Sequence, residues 1–306
     1  MLVEGPVKSH SNLLKGRKNK MGKIGVIGGS GLYDLENLKK IEEVLLDTPY
    51  GAPSDKFIVS DLEGKEVVFL PRHGRHHQIN PSGINYRANI YGMKKLGVEK
   101  IISISACGSL KEEYKPLDFV IPTQFLDRTN QTRKYTFFDQ GVVAHVGFAH
   151  PICRNLSKIL KQAAENSKIT AHYGGTYLNM EGPQFSTLAE SNLYRSWGMD
   201  IIGMTNMIEA RLAREAEICY VTLAAVTDYD CWHPDHESVT LDEILSNLSK
   251  NVTNSKTLLK EFISLINNNE SCSCQEALKN AIVTRPEFIS QDVRDKLSIL
   301  INKYIQ

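Results

Sequence analysis

The chain has 306 residues, of which 42% are hydrophobic and 23% charged, and its formal net charge is +1. This balance is typical of a soluble globular protein and argues against a nucleic acid or an anionic membrane surface as the partner. No apolar run approaches the roughly 20 residues that a membrane-spanning helix needs. The basic start of the chain lacks the apolar core of a secretory signal. We therefore expect a cytoplasmic protein in which residues 1–20 form a disordered extension.

Strands and helices are predicted to alternate along residues 21–306. Apolar runs bounded by turn residues predict one strand within each of 23–31, 99–109, 118–129, 170–187, 199–205 and 218–228, and two strands within 57–72 around a turn at Glu63 and Gly64. Apolar residues at helical spacing predict helices at 84–97, 150–166, 188–198 and 206–217, and a mainly helical chain from about Thr240. This order, with no linker in mid-chain, predicts a single α/β domain: a mixed central sheet flanked by helices on both faces, with a helical C-terminus.

Polar residues stand at the ends of the predicted strands, where ligands bind in folds of this class. The first strand runs into "GGSG" at 28–31, which lacks the third glycine of a dinucleotide fingerprint, and the chain has no GxxxxGK[ST] motif. This turn offers N–H groups and the Ser30 hydroxyl to an oxyanion, although a turn without a ligand explains it equally well. Arg72 adds a planar fork that matches phosphate oxygens. The strand ends together predict a phosphate site made of Ser30, Arg72, His73, Ser105, Ala106 and Thr205.

Long segments of the chain resemble, in order, the S-methyl-5'-thioadenosine phosphorylases of the trimeric purine nucleoside phosphorylase family. The clearest are "IGVIGGSGLYD", "LPRHGRHHQINPSGINYRANIYGMK", "YLNMEGPQFSTLAES", "IIGMTNMIEARLAREAEICY" and "TDYDCW", and the resemblance covers roughly residues 22–265. It implies phosphorolysis of methylthioadenosine to adenine and 5-methylthioribose 1-phosphate, a step of purine and methionine salvage. It also implies a homo-oligomer, a trimer or a dimer of trimers, with no metal or organic cofactor and with inorganic phosphate as a co-substrate.

The resemblance implies the residues of the site as well. It assigns the phosphate to the six residues named above, and the nucleoside to Ala106, Cys107, Gly108, His145, Phe185, Met204, Asp228 and Asp230. Specificity for the 5' substituent falls to Ser186, Leu241, Ile244 and Leu245. For the phenylalanine, the histidine and the leucines, core packing or another structural role is the ordinary alternative.

Asp228 is the predicted catalytic residue. Cleavage of an N-glycosidic bond leaves negative charge on the purine, which a proton or a strong hydrogen bond at N7 stabilises. Burial at the end of an apolar strand, next to Asp230, would raise the pKa of one carboxyl group and keep it protonated. The other carboxylate would accept from the purine 6-amino group and so favour adenine. The sequence leaves open which aspartate does which, because the two can titrate as a pair. An Asx turn or a metal loop is the structural alternative, but a metal loop needs more oxygen ligands than the segment offers.

The main alternative is a broader purine nucleoside phosphorylase that accepts adenosine, inosine or guanosine. The aspartate pair argues against 6-oxo purines, since enzymes for those bases favour an Asn with a Glu. Gly203 stands where many members of the family carry Asn, and this predicts looser discrimination between adenine and hypoxanthine. A dinucleotide oxidoreductase is disfavoured by the incomplete glycine pattern. A purine-binding module without activity would not need a phosphate site.

The six cysteines are predicted to be mostly buried thiols. Cys272 and Cys274 are the exception, since they flank one serine in a polar loop. A strained disulfide between them and two free thiols both remain open. A zinc site would need two more ligands, and the sequence shows no second pair nearby.

Overall fold

The computed structural model describes residues 22–29, 38–130, 132–234, 241–267 and 271–305, without the side chains of residues 40, 241–244 and 248. The expected N-terminal extension and Ser30 lie outside these ranges. Across the described residues, no helix combines the length and the apolar composition that crossing a membrane requires.

Within the described ranges, eleven strands form one mixed sheet. They are β1 (Lys23–Gly28), β2 (Lys39–Val44), β3 (Phe57–Leu62), β4 (Lys65–Pro71), β5 (Val98–Ser109), β6 (Phe119–Ile121), β7 (Gln124–Arg128), β8 (Ala171–Tyr173), β9 (Thr176–Met180), β10 (Ile201–Gly203) and β11 (Cys219–Asp228). The α-helices are α1 (Tyr86–Lys95), α2 (Arg154–Ser167), α3 (Leu188–Ser196), α4 (Asn206–Glu215), α5 (Leu241–Leu265) and α6 (Gln291–Ile301).

The sheet divides at β5. Along its main path the strands follow the order β2-β3-β4-β1-β5-β10-β9-β7, while β11 pairs with the other edge of β5 and continues to β6 and β8. On the edge of β5 opposite β11, β1 pairs with β5 as far as Ser103, and β10 pairs with it only from Gly108 onward. The stretch of β5 between these two residues therefore has a strand on one side only, which leaves room for a ligand beside it.

Every residue of β11 is buried. The α2, α4 and α5 helices all contact it. The Tyr220 hydroxyl donates to Glu209 of α4, whereas the thiol of its neighbour Cys219 lies close to that of Cys153, next to α2. Because successive side chains of a strand point to opposite faces, α2 and α4 cover opposite faces of the sheet. The predicted mixed sheet with helices on both faces is confirmed.

Two predicted strands are in fact pairs of strands. The segment 118–129 is broken at Pro122, which has no N–H for a ladder, and β6 and β7 on either side pair with different strands. The segment 170–187 is broken at Gly174 and Gly175, where φ is 113° and 86°, so that β8 and β9 are separate strands. The sequence analysis missed β2, a charged strand at the edge of the sheet.

Candidate active site

A cavity of about 540 Å³ opens at the unpaired stretch of β5. This volume is typical of a site for a small molecule. Five of the predicted phosphate ligands line it: Arg72, His73, Ser105, Ala106 and Thr205. Six residues predicted for the nucleoside also line it, apart from Ala106: Cys107, Gly108, Phe185, Met204, Asp228 and Asp230. The strand ends therefore bring most of the predicted site to one place.

The residues predicted for the 5' end of the nucleoside are not brought together in the same way. The side chains of Leu241 and Ile244 lie outside the described part of the chain, and Leu245 is 52% exposed. His145 is exposed and is not among the residues lining the cavity of its own chain. Ser186 is not among them either, although its hydroxyl lies 3.9 Å from the sulfur of Met180, which does line the cavity.

The α5 helix reaches the cavity further along than the sequence predicted. Asn251, Val252 and Ser255 line it, about two turns beyond the predicted leucines. The side-chain N–H of Asn251 donates to the Val226 carbonyl at 3.0 Å, while its side-chain oxygen is buried without a hydrogen-bond partner among the described residues. A buried acceptor of this kind is a candidate contact for a ligand.

Arg72 is 2% exposed and follows β4 directly. Its Nε and Nη2 donate to the two carboxylate oxygens of Glu209, Nη2 donates to the Ser103 hydroxyl at 2.6 Å, and Nη1 donates to the Ile104 carbonyl at 3.2 Å. Burial alone would lower the pKa of Arg72, but the Glu209 carboxylate raises it, so the guanidinium stays charged. These contacts with described residues use four of its five N–H groups, and one on Nη1 remains for an anion in the cavity.

Glu209 is a residue that the sequence analysis missed. It lies in the first turn of α4, is 2% exposed, and accepts hydrogen bonds from the hydroxyls of Ser103 at 2.7 Å and Tyr220 at 2.9 Å. An acidic residue in the first turn of a helix has an ordinary explanation in the helix dipole, which hid its role. Its carboxylate holds the plane of the Arg72 guanidinium fixed.

His73 is neutral in the free protein. Burial and the charge of Arg72 lower the pKa of His73 to about 4. Its Nδ1 lies 2.8 Å from the Ile79 carbonyl oxygen, which can only accept, so Nδ1 carries the proton. The Nε2 atom is then an acceptor, and it suits a phosphate oxygen that itself bears a proton.

Two hydroxyls lie at the Arg72 end of the cavity. The Ser105 hydroxyl is buried beside that of Tyr177, but no described residue forms a well-oriented hydrogen bond with it. Thr205 is 4% exposed, and its hydroxyl lies 3.2 Å from the side-chain oxygen of Asn206. A buried hydroxyl without a partner is costly unless a ligand or water completes its hydrogen bonding, which favours an oxyanion at this point.

Asp228 and Asp230 form the other end of the cavity. The backbone N–H of Asp230 donates to Asp228 Oδ1 at 2.8 Å, and Oδ2 of Asp228 lies 2.7 Å from the Thr227 hydroxyl. That hydroxyl also lies 3.2 Å from the Cys107 carbonyl oxygen. The Thr227 hydroxyl has one proton, so it donates to only one of these two oxygens at a time. Burial raises the pKa of Asp230.

Two glycines make room for this end of the site. A Cβ atom on Gly108 would lie 2.9 Å from Oδ1 of Asp228, so a side chain there would displace the carboxyl group. A Cβ atom on Gly203 would overlap the hydroxyl of Tyr177, which donates to Asn206 at 3.2 Å. Tyr177 thus fills the space that an Asn side chain at position 203 would need.

Arg133 is a second residue that the sequence analysis missed, because it stands in a polar loop. Its guanidinium, 1% exposed, donates to the backbone carbonyls of Glu181 and Met204 and pairs with the Glu181 carboxylate at 3.0 Å. Met204 and Pro183 line the cavity on either side of these contacts. Arg133 therefore joins the two segments that form this wall.

The two ends of the cavity are separated along β5. The Arg72 guanidinium contacts Ile104, whereas Asp228 pairs with Gly108. At 3.3 Å per residue these positions are about 13 Å apart, the size of a nucleoside with an anion beside its sugar. The arrangement can hold an oxyanion at one end and hydrogen-bond a polar ring system at the other.

Comparisons with known proteins agree with this geometry. The family model of the phosphorylase superfamily matches residues 23–264. An S-methyl-5'-thioadenosine phosphorylase of Koribacter versatilis is 54% identical over 92% of this chain and 96% of its own length. The corresponding enzyme of Geobacter sulfurreducens is 53% identical over 92% of this chain and 99% of its own length.

Solved structures give the same result. The crystal structure of a methylthioadenosine phosphorylase from an antarctic soil metagenomic library has a TM-score of 0.88 and 48% identity, covering 92% of this chain and 100% of that chain. A variant of the adenosine/methylthioadenosine phosphorylase of Schistosoma mansoni, in complex with methylthioadenosine, has a TM-score of 0.79 and 36% identity over 84% of this chain and 96% of that one. The expected resemblance is confirmed over most of the chain, and the chain belongs to the phosphorylase superfamily.

Proposed function

We propose that the chain catalyses the phosphorolysis of S-methyl-5'-thioadenosine to adenine and 5-methylthioribose 1-phosphate. The observation that carries this proposal is the single cavity with Arg72 at one end of β5 and Asp228 at the other. The names of the relatives at 53–54% identity support the same substrate. The broader purine nucleoside phosphorylase is not favoured.

The phosphate end of the cavity supplies the nucleophile. Arg72 gives a fixed positive charge, and Ser105 and Thr205 give hydroxyl donors, while neutral His73 accepts from a protonated phosphate oxygen. A phosphate dianion held beside C1' stabilises positive charge that develops on the sugar. One of its oxygens then forms the new bond to C1' as the bond from C1' to N9 breaks.

The aspartate end assists the leaving group. A protonated Asp228 donates to N7 of the purine, so that adenine leaves as a neutral base and the aspartate takes up another proton afterwards. Asp230 or the Asp228 oxygen that stays unprotonated accepts from the 6-amino group. A 6-oxo purine would place an acceptor there instead, and a mismatched polar group in a buried site is strongly rejected.

The test of the substrate is a comparison of methylthioadenosine, adenosine and inosine by kcat/KM at one phosphate concentration. We expect methylthioadenosine to be cleaved fastest and inosine slowest. Adenosine is included because the Schistosoma mansoni relative is described as an adenosine/methylthioadenosine phosphorylase. Faster cleavage of inosine than of methylthioadenosine would contradict the proposal.

The assembly is also a proposal: a homo-oligomer, either a trimer or a dimer of trimers. His145 is exposed and does not line the cavity of its own chain, so a role for it at the 5' end requires a neighbouring subunit. Light scattering on the purified protein gives the number of subunits. If the protein is an assembly, His145→Ala should raise the KM for methylthioadenosine, and if it is a monomer, this role for His145 is excluded.

A further inference from the structure

Four cysteines far apart in the sequence meet in a thiol cluster: Cys153, Cys219, Cys272 and Cys274. All four Sγ atoms lie within 4.8 Å of one another. Three of these residues are buried and Cys272 is partly buried. Cys153 immediately precedes α2, Cys219 begins β11, and the other two follow α5. The expectation that the CxC pair has no second pair of ligands nearby is wrong, because the fold brings Cys153 and Cys219 to it.

The spacing within the thiol cluster fits a metal better than a disulfide. The Sγ atoms of Cys153 and Cys272 are 3.7 Å apart. A disulfide needs about 2.05 Å between sulfurs. Four thiolates at about 2.3 Å from a zinc ion form a tetrahedron whose edges are about 3.8 Å long. We propose that the thiol cluster binds one Zn²⁺ ion as a closed, tetrahedral, four-cysteine site.

The surroundings of the thiol cluster suit thiolate ligands. Cys153 is the N-cap residue of α2, so its thiol lies at the N-terminal end of that helix. The N-terminal end of a helix favours a thiolate at that position. The backbone N–H of Cys272 donates to the side-chain oxygen of Gln275 at 3.2 Å, which fixes the loop that presents this pair of ligands.

A buried lysine pairs with one cysteine of the thiol cluster across the sheet. Four thiolates around Zn²⁺ leave two net negative charges, which need compensation in a buried site. Lys100 pairs with Cys219 across β5 and β11, so the two side chains point to the same face, with Cβ atoms about 5 Å apart. The Lys100 ammonium is buried and makes no hydrogen bond with a described residue.

The proposed metal is structural. Four protein ligands leave no open position for a substrate or water. Cys219 and Asp228 are the first and last residues of β11, so the ion would be about 30 Å from the catalytic carboxyl group. It would fasten the C-terminal segment after α5 to the sheet and to α2. The same segment is held nearby by Glu217, which accepts from the backbone N–H of Leu278 at 3.0 Å.

The experiment measures zinc in the full-length protein, purified under reducing conditions without a metal-affinity step. Wild-type protein is expected to hold one zinc ion per chain by mass spectrometry of the metal. Cys272→Ser, which removes the least buried ligand, is expected to lower the zinc content per chain roughly tenfold. Cys231→Ser is the matched control, because Cys231 lies outside the thiol cluster, and it should retain the metal.

Cobalt substitution keeps the test decisive if a variant fails to fold. Wild-type protein reconstituted with Co²⁺ should show the thiolate-to-metal charge-transfer bands and visible bands of a tetrahedral four-sulfur site. A chelator should lower its Tm, as expected when a ligand of the folded state is removed. Folded wild-type protein without bound zinc or cobalt would overturn the proposal, whether its four thiols are free or joined in a disulfide.

Discussion

Arg72 and Glu209 form a buried, bidentate ion pair in the wall of the cavity, with Nη2 of the arginine 3.2 Å from Oε2 of the glutamate. Both side chains are 3% exposed. A buried ion pair of this kind contributes little net stability compared with apolar residues. Its value here is that it keeps a charged guanidinium in one orientation, with one N–H left for the proposed phosphate.

Arg72→Lys should weaken phosphate binding, because a lysine keeps the charge but cannot reproduce the planar fork. The loss of one charged hydrogen bond costs about 2 kcal/mol, which is roughly a 30-fold rise in the phosphate KM. Steady-state kinetics at varied phosphate measure this. Arg211→Lys is the control, since Arg211 pairs with Asp127 at 2.7 Å and does not line the cavity. An unchanged phosphate KM in Arg72→Lys would exclude the predicted phosphate site.

Glu209→Gln should destabilise the protein as well as weaken phosphate binding. The substitution leaves the Arg72 charge uncompensated in a buried place, which costs about 3–5 kcal/mol. Chemical denaturation, with the midpoint and slope compared to wild type, measures the loss. Glu43→Gln is the control, because Glu43 pairs with Arg75 and Lys56 at the surface. Equal losses of unfolding free energy in the two variants would show that Glu209 does not compensate a buried charge on Arg72.

Asp228→Asn should lower kcat for methylthioadenosine by about 10²- to 10⁴-fold, since an amide cannot transfer a proton to N7. The same variant should lose less activity on inosine, whose 6-oxo group can accept from the amide. The ratio of kcat/KM for the two substrates is therefore the informative quantity. A wild-type rate on methylthioadenosine would remove Asp228 from the reaction. A similar loss on both substrates would mean that it does not recognise the 6-position.

Glu215 predicts a pH dependence of stability that is separate from catalysis. Burial raises the pKa of Glu215 from 4.5 to about 7, although its carboxylate accepts from the Phe137 N–H and the Thr136 hydroxyl, each at 2.7 Å. A group whose pKa is raised on folding stabilises the protein fully below its unfolded pKa, and this contribution is lost as the pH rises through about 7.

Glu215→Gln should remove this pH dependence. Between pH 4.5 and about 7, wild-type protein should lose up to about 3 kcal/mol of unfolding free energy that the variant does not lose. Denaturation curves of both proteins at several pH values give the difference directly. Parallel pH profiles for the two proteins would show that Glu215 is ionised throughout.

Much of the site could be predicted because it lies where buried strands end. The apolar run of β11 predicted that Asp228 lies at the end of a buried strand. The apolar run of β4 likewise predicted that Arg72 lies at the end of a strand. Parallel strands bring their carboxyl ends together, so residues distant in sequence could be assigned to one cavity. That Arg72 and Asp228 line the same cavity was therefore predictable.

The missed residues are those whose role depends on a partner elsewhere in the chain. Glu209 is 137 residues from Arg72, and Cys153 is 119 residues from Cys272. Neither pair has a spacing that a short motif could reveal. The α5 helix shows a different limit, since the resemblance predicted a contact of the ligand with Leu245, but polar and small residues further along the helix line the cavity. The tilt of a helix against a sheet depends on packing that periodicity does not contain.

The most direct test of the proposed reaction is the release of adenine from methylthioadenosine with and without inorganic phosphate. We predict no appreciable release without phosphate, and release with phosphate that is matched mole for mole by a sugar 1-phosphate in the ³¹P NMR spectrum. Arg72→Lys should require far more phosphate for the same rate. Adenine released at the same rate without phosphate, with free methylthioribose as the other product, would contradict the assignment of Arg72 and its neighbours to a phosphate nucleophile.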